Sequence, residues 1–144
     1  LLAAYCGGMV AAAVLAAIGA EGAAQFLRGI YGHFCHQLPE RSLTCGDETL
    51  ILCARCTGFY GTLALVSIAV LLKAITRSLD WKATAILCLP MLADALLDLS
   101  AATGAANFLR TATGVIAGGA LALHLYPKLL AAARDQLDPR AATT

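Results

Sequence analysis

Residues 52–75 read LCARCTGFYGTLALVSIAVLLKAI. A C-x-x-C pair with an arginine inside it opens the stretch, and an uncharged apolar run follows as far as Lys73. About 20 apolar residues cross the hydrocarbon core of a bilayer, so this run reads as a membrane span. Three other stretches read the same way: 1–20, rich in Ala and Gly, then 83–104 and 107–127. The opening LLAAYCGGMVAAAVLAAIGA lacks a basic leading region and reads as a span rather than a signal peptide. The expectation is an all-α integral membrane protein of about four transmembrane helices. Residues 1–127 form a single domain, with a Cys/His-rich loop at about 21–56, and 128–144 form a polar tail.

Composition supports lipid as the solvent. The 144 residues are 60% hydrophobic and 13% charged, with a mean hydropathy of +0.77; soluble domains carry roughly 25% charged residues. The net charge of +1 offers no basic surface to replace phosphate counterions, which excludes nucleic acid as a partner. Small residues recur at helix-facing intervals, Gly114, Gly118 and Ala122 in one span and Gly7, Ala11 and Leu15 in another. Such faces allow close helix packing in lipid. The partners expected are the bilayer and either other membrane subunits or further copies of the chain.

Between the first two spans, GAAQFLRGIYGHFCHQL places Phe26, Leu27, Ile30, Tyr31 and Phe34 near helical spacing. It reads as a short interfacial or re-entrant helix that Pro39 ends or bends. CGDET reads as a turn, and LILC as the lead into the second span. Lys73, Arg77, Lys82, Lys128, Arg134 and Arg140 gather on one side of the predicted membrane. By the positive-inside rule that side is cytoplasmic in a prokaryotic inner membrane, which puts the cysteine loop on the extracytoplasmic side.

Four charged residues fall within or against the spans: Arg55, Asp94, Asp98 and Arg110. The two aspartates are four apart, hence on one helix face. Ionisable groups in lipid are costly and either pair or face a polar cavity. Ion pairs linking Asp94 or Asp98 with Arg110 or Arg55 are therefore expected, as a helix clamp or as the floor of a pocket for an anion, a quinone headgroup or a proton path. His124 lies about 21 Å from Arg110 along a helix. That distance makes it a lone interfacial histidine with no special role.

The soft ligands cluster in 33–56. Cys35, Cys45, Cys53 and Cys56 occur there, with His36 beside Cys35 and His33 one turn before it. A C-x-x-C pair lets two thiolates converge on one tetrahedral ion, and an upstream pair can close the site. The ligand set is Cys35, His36, Cys53 and Cys56, or the same three cysteines with Cys45; His36 is alternatively a hydrogen-bonding neighbour of a ligand. Cys45 and His33 are lesser candidates, and zinc is the metal such donors suit. The same residues also allow thiol–disulfide exchange, with Arg55 stabilising a thiolate. Cys6 and Cys88 lie within apolar spans and read as small buried hydrophobes.

The pattern Cys35-His36-Gln37, Arg41-Ser42, Cys53, Arg55-Cys56-Thr57-Gly58, Tyr60 and Gly61 resembles the signature of a family of small prokaryotic predicted membrane proteins of unknown function. Asp94, and Arg110 with Gly114, are similar to that family's later elements. The resemblance implies that Cys35, His36, Cys53 and Cys56 are the shared set, because the position of Cys45 varies in the family. It implies no activity. Three functions are weighed. The first is a non-enzymatic membrane protein with a zinc site, acting as an accessory or assembly subunit of a membrane complex or in metal handling. The second is a membrane thiol–disulfide oxidoreductase coupled to quinone. The third is a small anion transporter.

Overall fold

The computed structural model describes residues 7–8, 11, 14–33, 35–45, 48–99 and 106–137, leaving aside the side chains of Cys45, Glu48, Leu99 and Leu137. Helix α1 spans Glu21–Tyr31, a 3-10 turn spans Pro39–Arg41, and strands β1 (Ser42–Cys45) and β2 (Glu48–Cys53) follow. Three long helices follow: α2 (Ala54–Leu71), α3 (Trp81–Leu99) and α4 (Asn107–Leu137). Half of the first expected span lies outside the described residues, as does the end of the third.

Among the described residues two helices, α2 and α4, are long and apolar enough to cross a membrane. Only 28% and 22% of their apolar windows are buried, whereas the core helix of a soluble protein would be mostly covered. α3 is of similar length but carries Lys82, Asp94 and Asp98. Its outward face is nonetheless apolar, with Ile86, Leu89, Leu92 and Leu96 exposed, while Thr84 and Asp94 are buried. Polar groups inside and leucines outside are the arrangement that lipid demands.

α2 and α4 meet backbone to backbone along three glycines. A Cβ on Gly58 would lie 2.5 Å from the Thr111 carbonyl oxygen; one on Gly114 would strike the Arg55 carbonyl, and one on Gly118 the Phe59 carbonyl. Ala117, Ala120 and Ala122 continue the buried face of α4. The small-residue face expected around Gly114, Gly118 and Ala122 is this seam. Its partner is Gly58, from the same segment as the C-x-x-C pair. At the other face, Gly7 has nothing within 4 Å.

Three local expectations are corrected. The segment before the second span is a hairpin rather than a loop running into a helix: β1 and β2 pair antiparallel, with Ser42 opposite Cys53 and Cys45 opposite Glu48. Residues 48–53, ETLILC, place Ile51 and Leu52 in a small core with Tyr31 and Cys35, bordered by Leu27 and Tyr60. That burial selects the strand over an earlier helix start. Secondly, α1 ends at Tyr31, not at Pro39. The His33 Nδ1 lies 3.0 Å from the Gly29 carbonyl and Gln37 Nε2 donates to the Arg28 carbonyl at 2.7 Å, which satisfies the freed carbonyls of the last turn. Pro39 instead opens the 3-10 turn.

The third correction concerns Pro127 and His124. α4 runs through Pro127 for a further ten residues, to Leu137, so part of the expected polar tail is helix. Proline has no N–H and frees the carbonyl four residues back, here Leu123. The Leu79 N–H donates to that carbonyl at 3.0 Å, and His124 Nδ1 in turn donates to the Leu79 carbonyl at 2.8 Å. The linker before α3 is thereby fastened to the proline turn at two points, and His124 has a structural role after all. His124→Phe is expected to lower unfolding free energy by about 1–2 kcal/mol, the cost of leaving one part-buried carbonyl unpaired. A loss below about 0.3 kcal/mol in denaturant titrations of the micellar protein would show that water replaces the imidazole.

Candidate metal centre

The hairpin and the start of α2 bring together what the sequence separates. Cys35 comes from the segment between α1 and the 3-10 turn, Cys53 ends β2, and Cys56 lies in the first turn of α2. Their three Sγ atoms lie within 4.8 Å of one another. Thiolates around one zinc ion at about 2.3 Å sit roughly 3.8 Å apart, so small side-chain rotations suffice to close the trio on an ion. The Cys53 backbone N–H donates to Cys35 Sγ at 3.2 Å. Hydrogen bonds from the Cys53 and Cys56 thiols hold the Cys35 thiol well below the usual cysteine range, and the same contact with Cys35 pushes the Cys53 thiol up. Among the three, Cys35 is therefore the thiol most readily ionised, and the thiolate is the form that binds metal or attacks a disulfide.

The trio opens on a cavity of about 110 Å³ whose other walls are His36, Gln37, Leu38, Arg41, Arg55, Asp98 and Arg110. His36 is exposed on this wall, and its ring nitrogens lie outside the 4.8 Å cluster. His33 Nδ1 is taken up by the last turn of α1, and its ring nitrogens lie outside the 4.8 Å cluster. Cys45 sits at the turn end of β1, three residues from Ser42, and Ser42 is the residue level with Cys53. At about 3.3 Å per residue its backbone is roughly 10 Å further along the hairpin. Cys88 is half-buried in α3 and free.

Beneath the cavity lies a network of ion pairs. Arg55 donates through Nε to Asp94 Oδ2 at 2.7 Å and through Nη2 to Asp98 Oδ2 at 2.7 Å. Arg110 Nη2 donates to Asp98 Oδ1 at 2.9 Å, and Arg41 approaches Asp98 Oδ2 at 3.5 Å. Thr113 adds a longer hydrogen bond to Asp94 at 3.4 Å. The Asp98 and Arg110 side chains are only 7% and 6% exposed. Both aspartates and both arginines expected from the spans are in the network, spread over α2, α3 and α4, so it joins all three long helices.

Two parts of the network were not foreseen. Arg41, expected as a signature residue on the cysteine-loop side, is a third guanidinium on Asp98. Asn107 was read only as the start of a span. Its Nδ2 donates to the Glu40 and Ser42 carbonyls at 3.3 and 3.1 Å, and its Oδ1 accepts from Arg110 at 3.2 Å. It thereby ties the hairpin to α4. The available signal was Asn107 three residues before Arg110, on the same helix face.

Apolar helices around a buried charge network, with a thiol-lined cavity at one end, define a helical membrane protein. The chain belongs to the family described as Predicted membrane protein (DUF2085), whose model matches residues 35–124, from the first thiol of the trio to the histidine beside Pro127. It is also similar to an uncharacterized protein of Methanocaldococcus jannaschii, 32% identical over 108 residues that make up 70% of this chain and 67% of that protein. No solved structure matches it.

Proposed function

We propose that this protein holds one zinc ion on the thiolates of Cys35, Cys53 and Cys56, with the imidazole of His36 closing the fourth position from the cavity wall. The convergence of three Sγ atoms from two separate segments within 4.8 Å carries the reading. Charge supports it. The three guanidinium groups around the cavity exceed the two carboxylates by one positive charge, and a zinc ion on three thiolates carries one negative charge. The role that follows is metal handling, or service as a zinc-clamped subunit of a larger membrane complex. The number of spans is four, completed by α3 and the N-terminal stretch. The metal lies at the extracytoplasmic face, since Arg41, Arg55 and Arg110 at that end are internally paired and the lysine-rich end is left for the cytoplasm.

The test is elemental mass spectrometry of protein purified without chelator, with free thiols counted before and after chelation. About one zinc per chain is expected, with the trio unreactive until the metal is removed. Cys35→Ser is expected to weaken zinc binding by more than about a hundredfold, beyond what loss of a neighbouring hydrogen bond costs. His36→Ala weakens it comparably if the imidazole is a ligand, and by less than about tenfold if three thiolates suffice. A metal-free protein whose thiols appear only after reduction would overturn the zinc reading. It would favour the second one, a thiol–disulfide exchanger passing electrons to quinone. That alternative draws its support from the readily ionised Cys35 beside a C-x-x-C pair.

A further inference from the structure

The two ends of the bundle treat their charges differently. At the thiol end, Arg41, Arg55 and Arg110 are all held by Asp94 or Asp98. At the far end of α2 and α4 stand Lys73, Arg77, Lys82, Lys128 and Arg134, and none of them has a carboxylate within 4.0 Å among the described residues. Asp80 at that end accepts the Lys82 backbone N–H at 3.3 Å, at the start of α3. Asp135 follows Arg134 directly, and successive helical residues point about 100° apart.

Two of these cations share a cavity. Lys73, Thr76 and Arg134 line a pocket of about 110 Å³ against Val70, Pro127 and Leu130. Lys73 is placed there by a left-handed backbone turn, φ +59°, just past the end of α2. The last carbonyls of α2 are already taken by the N–H groups of Leu72, Lys73 and Ala74, so the negative end of the helix is largely satisfied. Next to the pocket lies a groove of about 280 Å³ lined by Ser67, Val70, Leu71, Tyr126, Leu129, Leu130 and Ala133, with Val70 and Leu130 bordering both. Leu71 and Leu129 are 65% and 59% exposed. A cationic pocket beside an apolar groove, on the outer surface of two candidate spans, matches a ligand with an anionic head and a hydrocarbon chain.

We propose that this end of the α2–α4 seam binds one anionic phospholipid, its phosphate between Lys73, Thr76 and Arg134 and one acyl chain along the groove. The site is independent of the thiol centre. A cation near an anionic lipid surface contributes about fivefold in affinity, so loss of both is expected to cost about thirtyfold.

The experiment is native mass spectrometry of the full chain in neutral-detergent micelles, titrated with phosphatidylglycerol and with phosphatidylcholine of the same chains. One saturable phosphatidylglycerol is expected, bound at least about tenfold more tightly than phosphatidylcholine. The double variant Lys73→Gln, Arg134→Gln loses that preference. Ala133→Trp, which fills the groove and leaves both cations in place, weakens both lipids and decides the matter if the double variant loses its helical circular dichroism. Equal binding of the two lipids would overturn the proposal. So would a folded double variant that keeps its preference, or displacement of the lipid by millimolar inorganic phosphate, which would mean an anion site without a chain.

Discussion

Asp98→Asn is expected to destabilise the protein by about 3–5 kcal/mol, the cost of removing one partner from a buried ion pair. Asp98 is the hub of the network: Arg55 and Arg110 donate to its two oxygens and Arg41 approaches it. With the carboxylate neutralised, Arg110 loses its counter-charge and is left with neutral acceptors such as the Asn107 side chain, and among the described residues its Nε has no partner even in the intact protein. A guanidinium 6% exposed has little bulk water to turn to. Asp94→Asn is expected to cost less, because Arg55 retains Asp98. Replacing charge by packing, as in Asp98→Leu with Arg110→Met, should recover much of the loss, since buried ion pairs rarely outperform apolar substitutes of similar size. Denaturant unfolding in micelles, followed by circular dichroism, reads all four proteins. An Asp98→Asn loss below about 1 kcal/mol would mean that the network is hydrated and does not hold the helices.

The second large effect is steric. Gly114→Val is expected to cost about 3 kcal/mol, the upper part of the range for overpacking. The new Cβ meets the Arg55 carbonyl, which is backbone and cannot rotate aside. Separating α2 from α4 also displaces Arg55, whose side chain reaches both aspartates, so packing and electrostatics fail together. Gly61→Ala is the control: it lies in α2 with nothing within 4 Å of its added Cβ, and helix propensity alone should stabilise it by up to about 1 kcal/mol. If Gly114→Val unfolds like Gly61→Ala, the two backbones are not in close contact and the seam is wrong.

Much of this architecture is local and was therefore legible. The uncharged run after Cys56 and the spacing of Asp94 and Asp98 are periodic signals within single segments. Burial then forces the charges to pair. The site was half legible. Cys53 and Cys56 announce themselves by spacing, whereas the choice of Cys35 over Cys45 as their companion depends on the hairpin register. LILC gave no warning of that hairpin, because a short apolar run before a helix has no period that separates strand from helix.

By itself the sequence determined that this is a lipid-facing helical protein with its thiols and span charges at one end, since hydropathy and helical spacing are properties of neighbouring residues. Only the tertiary structure decided which groups meet. It set Gly58 against Thr111 and Gly114 against Arg55, gave Asp98 three guanidiniums, and placed the Leu79 N–H on the Leu123 carbonyl that Pro127 frees, far along the chain from it, with His124 on the carbonyl of Leu79. The reason is physical: pairing between distant segments is chosen by shape and by satisfaction of buried polar groups, and neither is written in the order of residues along one element.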